Sequence, residues 1–174
     1  MRIMTKKINL KITIEETAER HPVPVLGTDY RVKVIYKNVK FAKLDVEDKL
    51  IKISLPNKYK KENKEKILDI AIEKMYEQIA KVEVERAMEK TRILLGFAPE
   101  DYEIKKIKNA LGKCENKKIT INPEVIKYNR NTIDYIVLHQ YCHLKYKTHS
   151  KGFLKMLGEY EPNFEKYEEI ISNK

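Results

Sequence analysis

Three of the chain's four histidines lie close together, in the segment IVLHQYCHLKYKTHS. His139 and His143 are four residues apart, so on a helix both imidazoles leave the same face on successive turns. His149 follows after five further residues, which leaves room for the helix to end and the chain to fold back. Three protein ligands with one open position are typical of catalytic zinc, and imidazole suits that metal. The spacing therefore predicts a Zn²⁺ site held by these three histidines.

The apolar segment before the histidine pair supports a metal site over a chance spacing. Its apolar residues are Ile133, Ile136, Val137 and Leu138. A helix that is apolar in its first half is buried there, and burying two unpaired imidazoles costs free energy. A bound metal removes that cost. The simpler alternative is a coincidence of histidines on an ordinary helix, which the third histidine makes less attractive.

Gln140 stands directly after the first predicted ligand. In HExxH enzymes a glutamate at this place takes a proton from the metal-activated water and passes it to the leaving amine. Glutamine is nearly isosteric but accepts no proton at neutral pH, so we expect bound metal and strongly reduced turnover. Two explanations stay open: a Glu→Gln replacement made to silence the site, or a natural glutamine in a protein that only binds. The scarcity of glutamine, found only at Gln78 and Gln140, favours the first.

Other polar residues near the histidines have weaker claims. Candidate donors to the oxyanion of peptide hydrolysis are Tyr128, Lys145 and Tyr146, although an ordinary surface role is the simpler interpretation for each. Asp134 is expected at the start of the helix rather than beside a ligand histidine. Cys142 is expected to pack in the core, and we expect no disulfide between it and Cys114.

The first third of the chain predicts strands, because apolar and polar residues alternate there. The alternating apolar positions are Leu10, Ile12 and Ile14, then Tyr30, Val32, Val34 and Tyr36. Residues 41–46 and 50–54 flank Glu47 and Asp48 and predict a hairpin. Two prolines in residues 21–27 indicate a loop that contains His21.

Helical periodicity begins near residue 62 and gives a long helix within residues 62–96, ended by Gly96 and Pro99. Its predicted buried stripe is Leu68, Ile72, Met75, Ile79 and Val82. Residues 103–108 and 118–122 predict two short strands around a turn, ALGKCENK, and a short helix follows Pro123. The histidine helix is expected to start near Asn131 or Thr132, capped by Asn131. Residues 153–160 and 163–171 predict two closing helices.

Four motifs in the second half resemble those of the YgjP-like metallopeptidase family, a relative of the SprT and WLM zincins. That family shows a WGSC turn, a strand ending in Asn, HELxH and HSxxF, and the corresponding text here is LGKC, ITIN, HQYCH and HSKGF. The resemblance implies a zincin core in which His139, His143 and His149 bind the metal and position 140 is the general base. The chain departs from the pattern at Gln140 and, in the turn, at Leu111 and Lys113.

These elements together predict an α+β, zincin-like fold: N-terminal antiparallel strands, a long helix, a small sheet, an active-site helix and short C-terminal helices. At 174 residues one domain is expected, with residues 1–57 mainly strands, 62–96 the long helix and 102–174 the metal-site core. No P-loop, dinucleotide fingerprint or GxSxG elbow is present, which excludes those enzyme classes.

The composition bears on partners and location. A formal net charge of +10 permits a nucleic-acid or acidic partner, although a solvated lysine-rich surface is the simpler interpretation. No apolar stretch approaches a membrane span, and two cysteines with no signal segment predict a cytoplasmic protein. The oligomeric state stays open.

Three functions therefore compete. The leading one is a zinc-dependent peptidase acting on a peptide or protein substrate, inactive as it stands because of Gln140. The second is a catalytically inactive, metal-stabilised module that binds nucleic acid or an acidic protein. The third is hydrolysis of a non-peptide bond, such as a phosphate ester, at the same zinc.

Overall fold

The computed structural model describes residues 22–173, and these form an α+β architecture, as predicted. The strands are β1 (Val23–Val25), β2 (Thr28–Lys37), β3 (Lys43–Glu47), β4 (Leu50–Pro56), β5 (Asp101–Ile104), β6 (Gly112–Glu115) and β7 (Lys118–Ile121). The α-helices are α1 (Lys64–Leu95), α2 (Arg130–Lys145), α3 (Lys151–Tyr160) and α4 (Phe164–Ser172). The strand predicted around Ile12, and His21, lie outside the described residues.

The described chain divides into two compact units, residues 22 and 30–64 in one, residues 23–29 and 65–173 in the other. In the first unit β4 is parallel to β2 and antiparallel to β3, so this sheet is mixed rather than purely antiparallel. The predicted β3–β4 hairpin is confirmed. Its turn residues Asp48 and Lys49 have φ of 45° and 61°, the left-handed pair that a two-residue hairpin loop needs.

The second unit contains β1, in the segment that was predicted to be a loop. The loop prediction for residues 21–27 is thus wrong where it covers β1. The loop was predicted from two prolines, but proline is compatible with a short edge strand. The backbone N–H of Leu26 donates to the carbonyl of Ile126 at 2.7 Å, and the turn is completed by Gly27 at φ 80°.

The long helix α1 agrees with prediction, and Gly96 at φ 74° ends it with its N–H on the Arg92 carbonyl at 2.9 Å. Leu68, Ile72 and Met75 are buried as expected. The predicted stripe is wrong at Val82, which is 68% exposed. The buried side instead runs through Ala80, Glu83, Val84 and Ala87. The inner face of the second half of the helix therefore mixes small apolar residues with the buried carboxylate of Glu83.

The sheet of the second unit has the strand order β5-β7-β6, with β5 parallel and β6 antiparallel to β7. The strand predicted at residues 103–108 in fact starts at Asp101 and ends at Ile104. The predicted turn ALGKCENK contains β6, and only Asn116 and Lys117 make the reversal, at φ 48° and 61°. The predicted strand β7 and a short 3-10 helix, Pro123–Lys127, are confirmed.

The histidine helix α2 is capped by Asn129, not by Asn131, since the Asn129 Oδ1 accepts the Thr132 N–H at 2.9 Å. Asp134 takes no part in the cap. Its carboxylate meets Arg86 and Lys90 of α1 at 2.7 and 2.6 Å. The two closing helices α3 and α4 are confirmed, and no helix within residues 22–173 is long and apolar enough to cross a membrane.

Candidate metal centre

The helix α2 carries both buried apolar residues and the first two of the three histidines. Its apolar positions are buried, with Ile133 and Val137 fully inaccessible. The helix ends at Lys145, where the Tyr146 N–H caps the Cys142 carbonyl at 2.9 Å. His149 follows in the short connection before α3, whose first turn is capped by the Ser150 hydroxyl. This break in the helical path returns the third histidine toward the first two.

The structure brings the three predicted histidines together. The His139 Nε2 lies 3.0 Å from the His149 Nε2, which lies 3.2 Å from the His143 Nε2. One nitrogen from each ring falls within 4.8 Å of the others. A tetrahedral ion with nitrogen bonds of 2.0–2.1 Å holds its ligands about 3.3–3.4 Å apart. The observed separations are close to that spacing.

The hydrogen bonds around the three rings show why a cation fits. The His143 Nδ1 lies 3.0 Å from the Tyr146 carbonyl, which only accepts, so this nitrogen carries the proton and the Nε2 presents a lone pair. Because the His143 Nε2 carries no proton, a single N–H can bridge only one of the two Nε2 contacts, and the other pair of nitrogens is left without a hydrogen bond between them. Burial and the two neighbouring imidazoles lower the pKa of His139 to about 4, so it is neutral at pH 7.

The Phe153 ring packs against all three imidazoles, a role that the sequence reasoning did not assign. Its side chain is fully buried, and its ring centroid lies 5.0, 4.7 and 4.7 Å from those of His139, His143 and His149. An apolar ring at this distance limits the rotation of each imidazole and excludes water from that side. The HSKGF motif contained this residue, but its contacts depend on α3 folding back over α2.

Gln140 lies beside His139 on the wall of a cleft of about 850 Å³. The side chain is 7% exposed and lies directly over Gly112 of β6. A Cβ at Gly112 would be 2.8 Å from the Gln140 Cγ and 2.9 Å from its Cδ and Nε2. The glycine of the LGKC turn therefore makes room for the residue at position 140.

The three candidate oxyanion donors lie in different places. Tyr128 is 6% exposed and lines the same cleft as His139 and Gln140. The Lys145 ammonium lies 4.5 Å from the Phe97 ring centroid, and this residue is not among those that line the cleft. Tyr146 acts through its backbone carbonyl, which accepts from His143. Only Tyr128 is thus placed to reach a substrate in the cleft.

Two residues that the sequence reasoning missed adjoin His139. The Tyr135 hydroxyl lies 3.3 Å from the His139 Nδ1 and 3.1 Å from a carboxylate oxygen of Glu168 on α4. The spacing of four residues between Tyr135 and His139 on one helix was a usable signal. Glu168 has no such signal, because only the docking of α4 brings it near.

The cysteines are both free. Cys142 is fully buried next to the site, and burial raises the pKa of its thiol to about 11. A thiol with so high a pKa is a poor source of thiolate at neutral pH. Its burial agrees with the core packing expected from sequence.

The fold and the site together define a class of α+β protein in which a helix and the loop after it bring three histidines together, the first of them at the side of a cleft. The sequence model described as YgjP-like, metallopeptidase domain, matches residues 3–174, and the chain belongs to this family. It is thereby a metallopeptidase-family protein, and such proteins use a divalent metal, typically zinc. No curated protein matches the chain.

Two solved structures with partial similarity are described as metallopeptidase zymogens. Abylysin of Pyrococcus abyssi is 25% identical over 52% of this chain and 92% of its own, with a TM-score of 0.47. Jannalysin of Methanocaldococcus jannaschii is 22% identical over 52% of this chain and 88% of its own, also with a TM-score of 0.47.

Proposed function

We propose that this chain is a zinc-dependent peptidase in which His139, His143 and His149 hold the metal and Gln140 occupies the place of the general base. The observation that carries the proposal is the convergence of three Nε2 atoms, one of them from His139, which lines the same cleft as Gln140. Membership of a metallopeptidase family supports hydrolysis of a peptide bond as the reaction.

His139, His143 and His149 would hold a zinc ion here, and the bound ion would supply Lewis acidity toward a carbonyl and a water molecule. The chain's own contribution to proton transfer depends on position 140. The Gln140 amide oxygen accepts a hydrogen bond and orients a water molecule, but it does not take up a proton. A glutamate there would accept the proton and deliver it to the leaving amine. The chain as it stands should therefore bind metal and substrate with little turnover.

The edge of β6 supports a peptide as substrate. Among the strands of the described second unit, β6 pairs with β7 on one side only. Its first residue, Gly112, lines the cleft beside Gln140, so this end of the edge strand borders the cleft. An extended peptide that adds to this edge would satisfy open backbone groups and place its carbonyls near the site. Tyr128, on the same cleft, is our candidate donor to the developing oxyanion.

The decisive experiment is hydrolysis of unfolded protein by the zinc-loaded Gln140→Glu variant. We expect a rate at least about 100-fold above that of the chain as it stands, because a general base is regained. Gln78→Glu is the matched control, since it makes the same chemical change at an exposed position of α1. A chelated sample of the active variant should be silent. Zinc binding without cleavage by Gln140→Glu would contradict the peptidase proposal.

The second candidate function is a binding module. A natural glutamine at position 140 would favour it, because glutamine cannot act as the general base. Its nucleic-acid form rests only on the charge of +10. Salt titration of an oligonucleotide complex tests it, since neutralised phosphates make affinity fall steeply as salt rises.

The third candidate function, hydrolysis of a non-peptide bond, is tested by offering phosphate esters to the Gln140→Glu variant. Ester cleavage without peptide cleavage would favour it.

A further inference from the structure

The hydrogen-bonded path from His139 to α4 has a fixed direction. Glu168 carries a carboxylate, which in its ionised form only accepts hydrogen bonds. The Tyr135 hydroxyl, 3.1 Å away, must therefore donate its single proton to Glu168. Its oxygen is then free to accept only, and the His139 Nδ1 at 3.3 Å must be the donor. A histidine that carries its proton on Nδ1 presents a lone pair on Nε2.

The Tyr135 ring is held in place from two sides. Tyr135 is 3% exposed, and its ring stacks on that of Tyr167 of α4, with centroids 5.2 Å apart and an interplanar angle of 15°. It meets the His139 ring edge-on at 5.8 Å. The hydroxyl therefore has little freedom to leave the line between His139 and Glu168. Helix α4 supplies both the stacking ring and the carboxylate.

The support of His143 differs. Its Nδ1 donates to the backbone carbonyl of Tyr146, three residues along the chain. The end of α2 alone therefore determines which ring nitrogen of His143 carries the proton. The proton of His139 is set by residues of α4, which contact α2 only when the C-terminal helix is docked. Hydrogen-bond partners of metal-bound histidines change metal affinity by 10- to 100-fold in other sites.

We propose that Tyr135 and Glu168 are positioning residues that hold His139 as the Nδ1–H tautomer, so that docking of α4 strengthens metal binding at the three histidines. The proposal rests on the proposed function only in taking these histidines as the metal ligands. By linkage, the metal must in turn stabilise the docked α4.

The test measures zinc affinity of the Tyr135→Phe variant by competition with a chromophoric chelator. We expect binding about 10- to 100-fold weaker than in the parent chain. Tyr167→Phe is the matched control, because it removes a hydroxyl from the partner of the same stack, and its affinity should stay within about twofold of the parent. Glu168→Ala should weaken zinc binding and Glu168→Gln, which keeps an acceptor oxygen, should restore most of it. The exposed Glu168 side chain makes these variants safe for folding.

A second measurement reads the tautomer itself. Long-range nitrogen–proton correlation spectra of the metal-free protein should show His139 protonated on Nδ1 in the parent, and a mixture of tautomers in Tyr135→Phe. An unchanged tautomer together with unchanged zinc affinity in Tyr135→Phe would overturn the proposal. Failure of the parent to bind zinc would instead contradict the proposed function, and the metal-free spectrum would still decide the direction of the hydrogen bonds.

Discussion

The two sides of α2 satisfy their polar groups in different ways. Toward α1, the Arg130 guanidinium makes three contacts of 2.7, 2.9 and 3.1 Å with the Glu83 carboxylate, and Asp134 meets Arg86 and Lys90. Each of these five charged side chains lies against one of opposite sign. Toward the cleft, the Nε2 atoms of His139 and His143 lie 3.0 and 3.2 Å from the Nε2 of His149, and a single N–H can bridge only one of these two contacts. The polar groups of the first side are satisfied within the protein, whereas we propose that those of the second are satisfied by a bound cation.

We therefore expect the α1 side of the helix to contribute to the stability of the fold, and the cleft side to contribute to metal binding. Removing a charge on the α1 side should lower the free energy of unfolding and leave metal binding unchanged. Removing an imidazole on the cleft side should weaken metal binding and leave the free energy of unfolding of the metal-free protein nearly unchanged.

The largest expected effect is on the cleft side, from His149→Ala. His149 is exposed, so its loss should barely change the stability of the metal-free protein. The affinity for zinc should fall by at least about 100-fold, because a ligand is lost rather than reoriented. Isothermal titration of zinc into both proteins measures this, with the neighbouring Thr148→Ala as control. A zinc affinity for His149→Ala equal to that of the control would contradict the three-histidine site.

The next effect comes from Gly112→Ala, made in the Gln140→Glu background. The added Cβ would meet the side chain at position 140 at under 3 Å, so that side chain must move. A displaced general base should lower the hydrolysis rate by about 10- to 100-fold.

Gly96→Ala is the contrasting variant, since a Cβ there meets nothing within 4 Å but the backbone has φ of 74°. It should cost about 1 kcal/mol of stability through backbone strain and leave the rate unchanged. Equal rates in the two alanine variants would show that Gly112 does not set the position of residue 140.

The smallest effect is on the α1 side, from Glu83→Gln. The Arg130 guanidinium beside Glu83 lowers the pKa of this buried carboxyl below its usual value, and Arg86 adds to the effect. Its stabilising contribution is therefore complete above the pH at which an unfolded glutamate titrates, and is lost as pH falls through the lower folded pKa. Because both guanidinium groups are partly exposed, we expect a loss of about 1–2 kcal/mol at pH 7.

Urea unfolding of the metal-free protein between pH 7 and pH 3 measures that contribution. The difference between parent and Glu83→Gln should shrink as the solution becomes acidic. The surface variant Glu89→Gln, whose partner Arg92 is also exposed, serves as control and should unfold like the parent. A difference that stays constant with pH would show that the Glu83 charge does not contribute.

Much of this organisation follows from local patterns in the sequence. The spacing of His139, His143 and His149 predicted their convergence because a helix fixes the first two and a short loop returns the third. The hairpin at Asp48 and the stop at Gly96 also depend on neighbouring residues alone. Such features are set within a few residues, which is why the sequence was sufficient.

The errors fall where distant contacts decide. Asn129 and Asn131 are equally good caps by type, and the structure uses the one that places Arg130 against Glu83 of α1. The strand β6 was missed because it is only four residues long, offers a single small apolar side chain, Cys114, between Lys113 and Glu115, and its turn contains no glycine. Glu168 reaches Tyr135 only through the packing of α4, which no local pattern encodes.

The central claim is that the cleft side of α2 holds one metal ion on three imidazoles. Zinc stoichiometry combined with X-ray absorption at the zinc edge, on the chain with Gln140 in place, tests it without any need for activity. We predict one zinc per chain, with three imidazole nitrogens at about 2.0–2.1 Å and no sulfur ligand. Absence of bound zinc at micromolar concentration, or a coordination shell containing sulfur, would contradict the account.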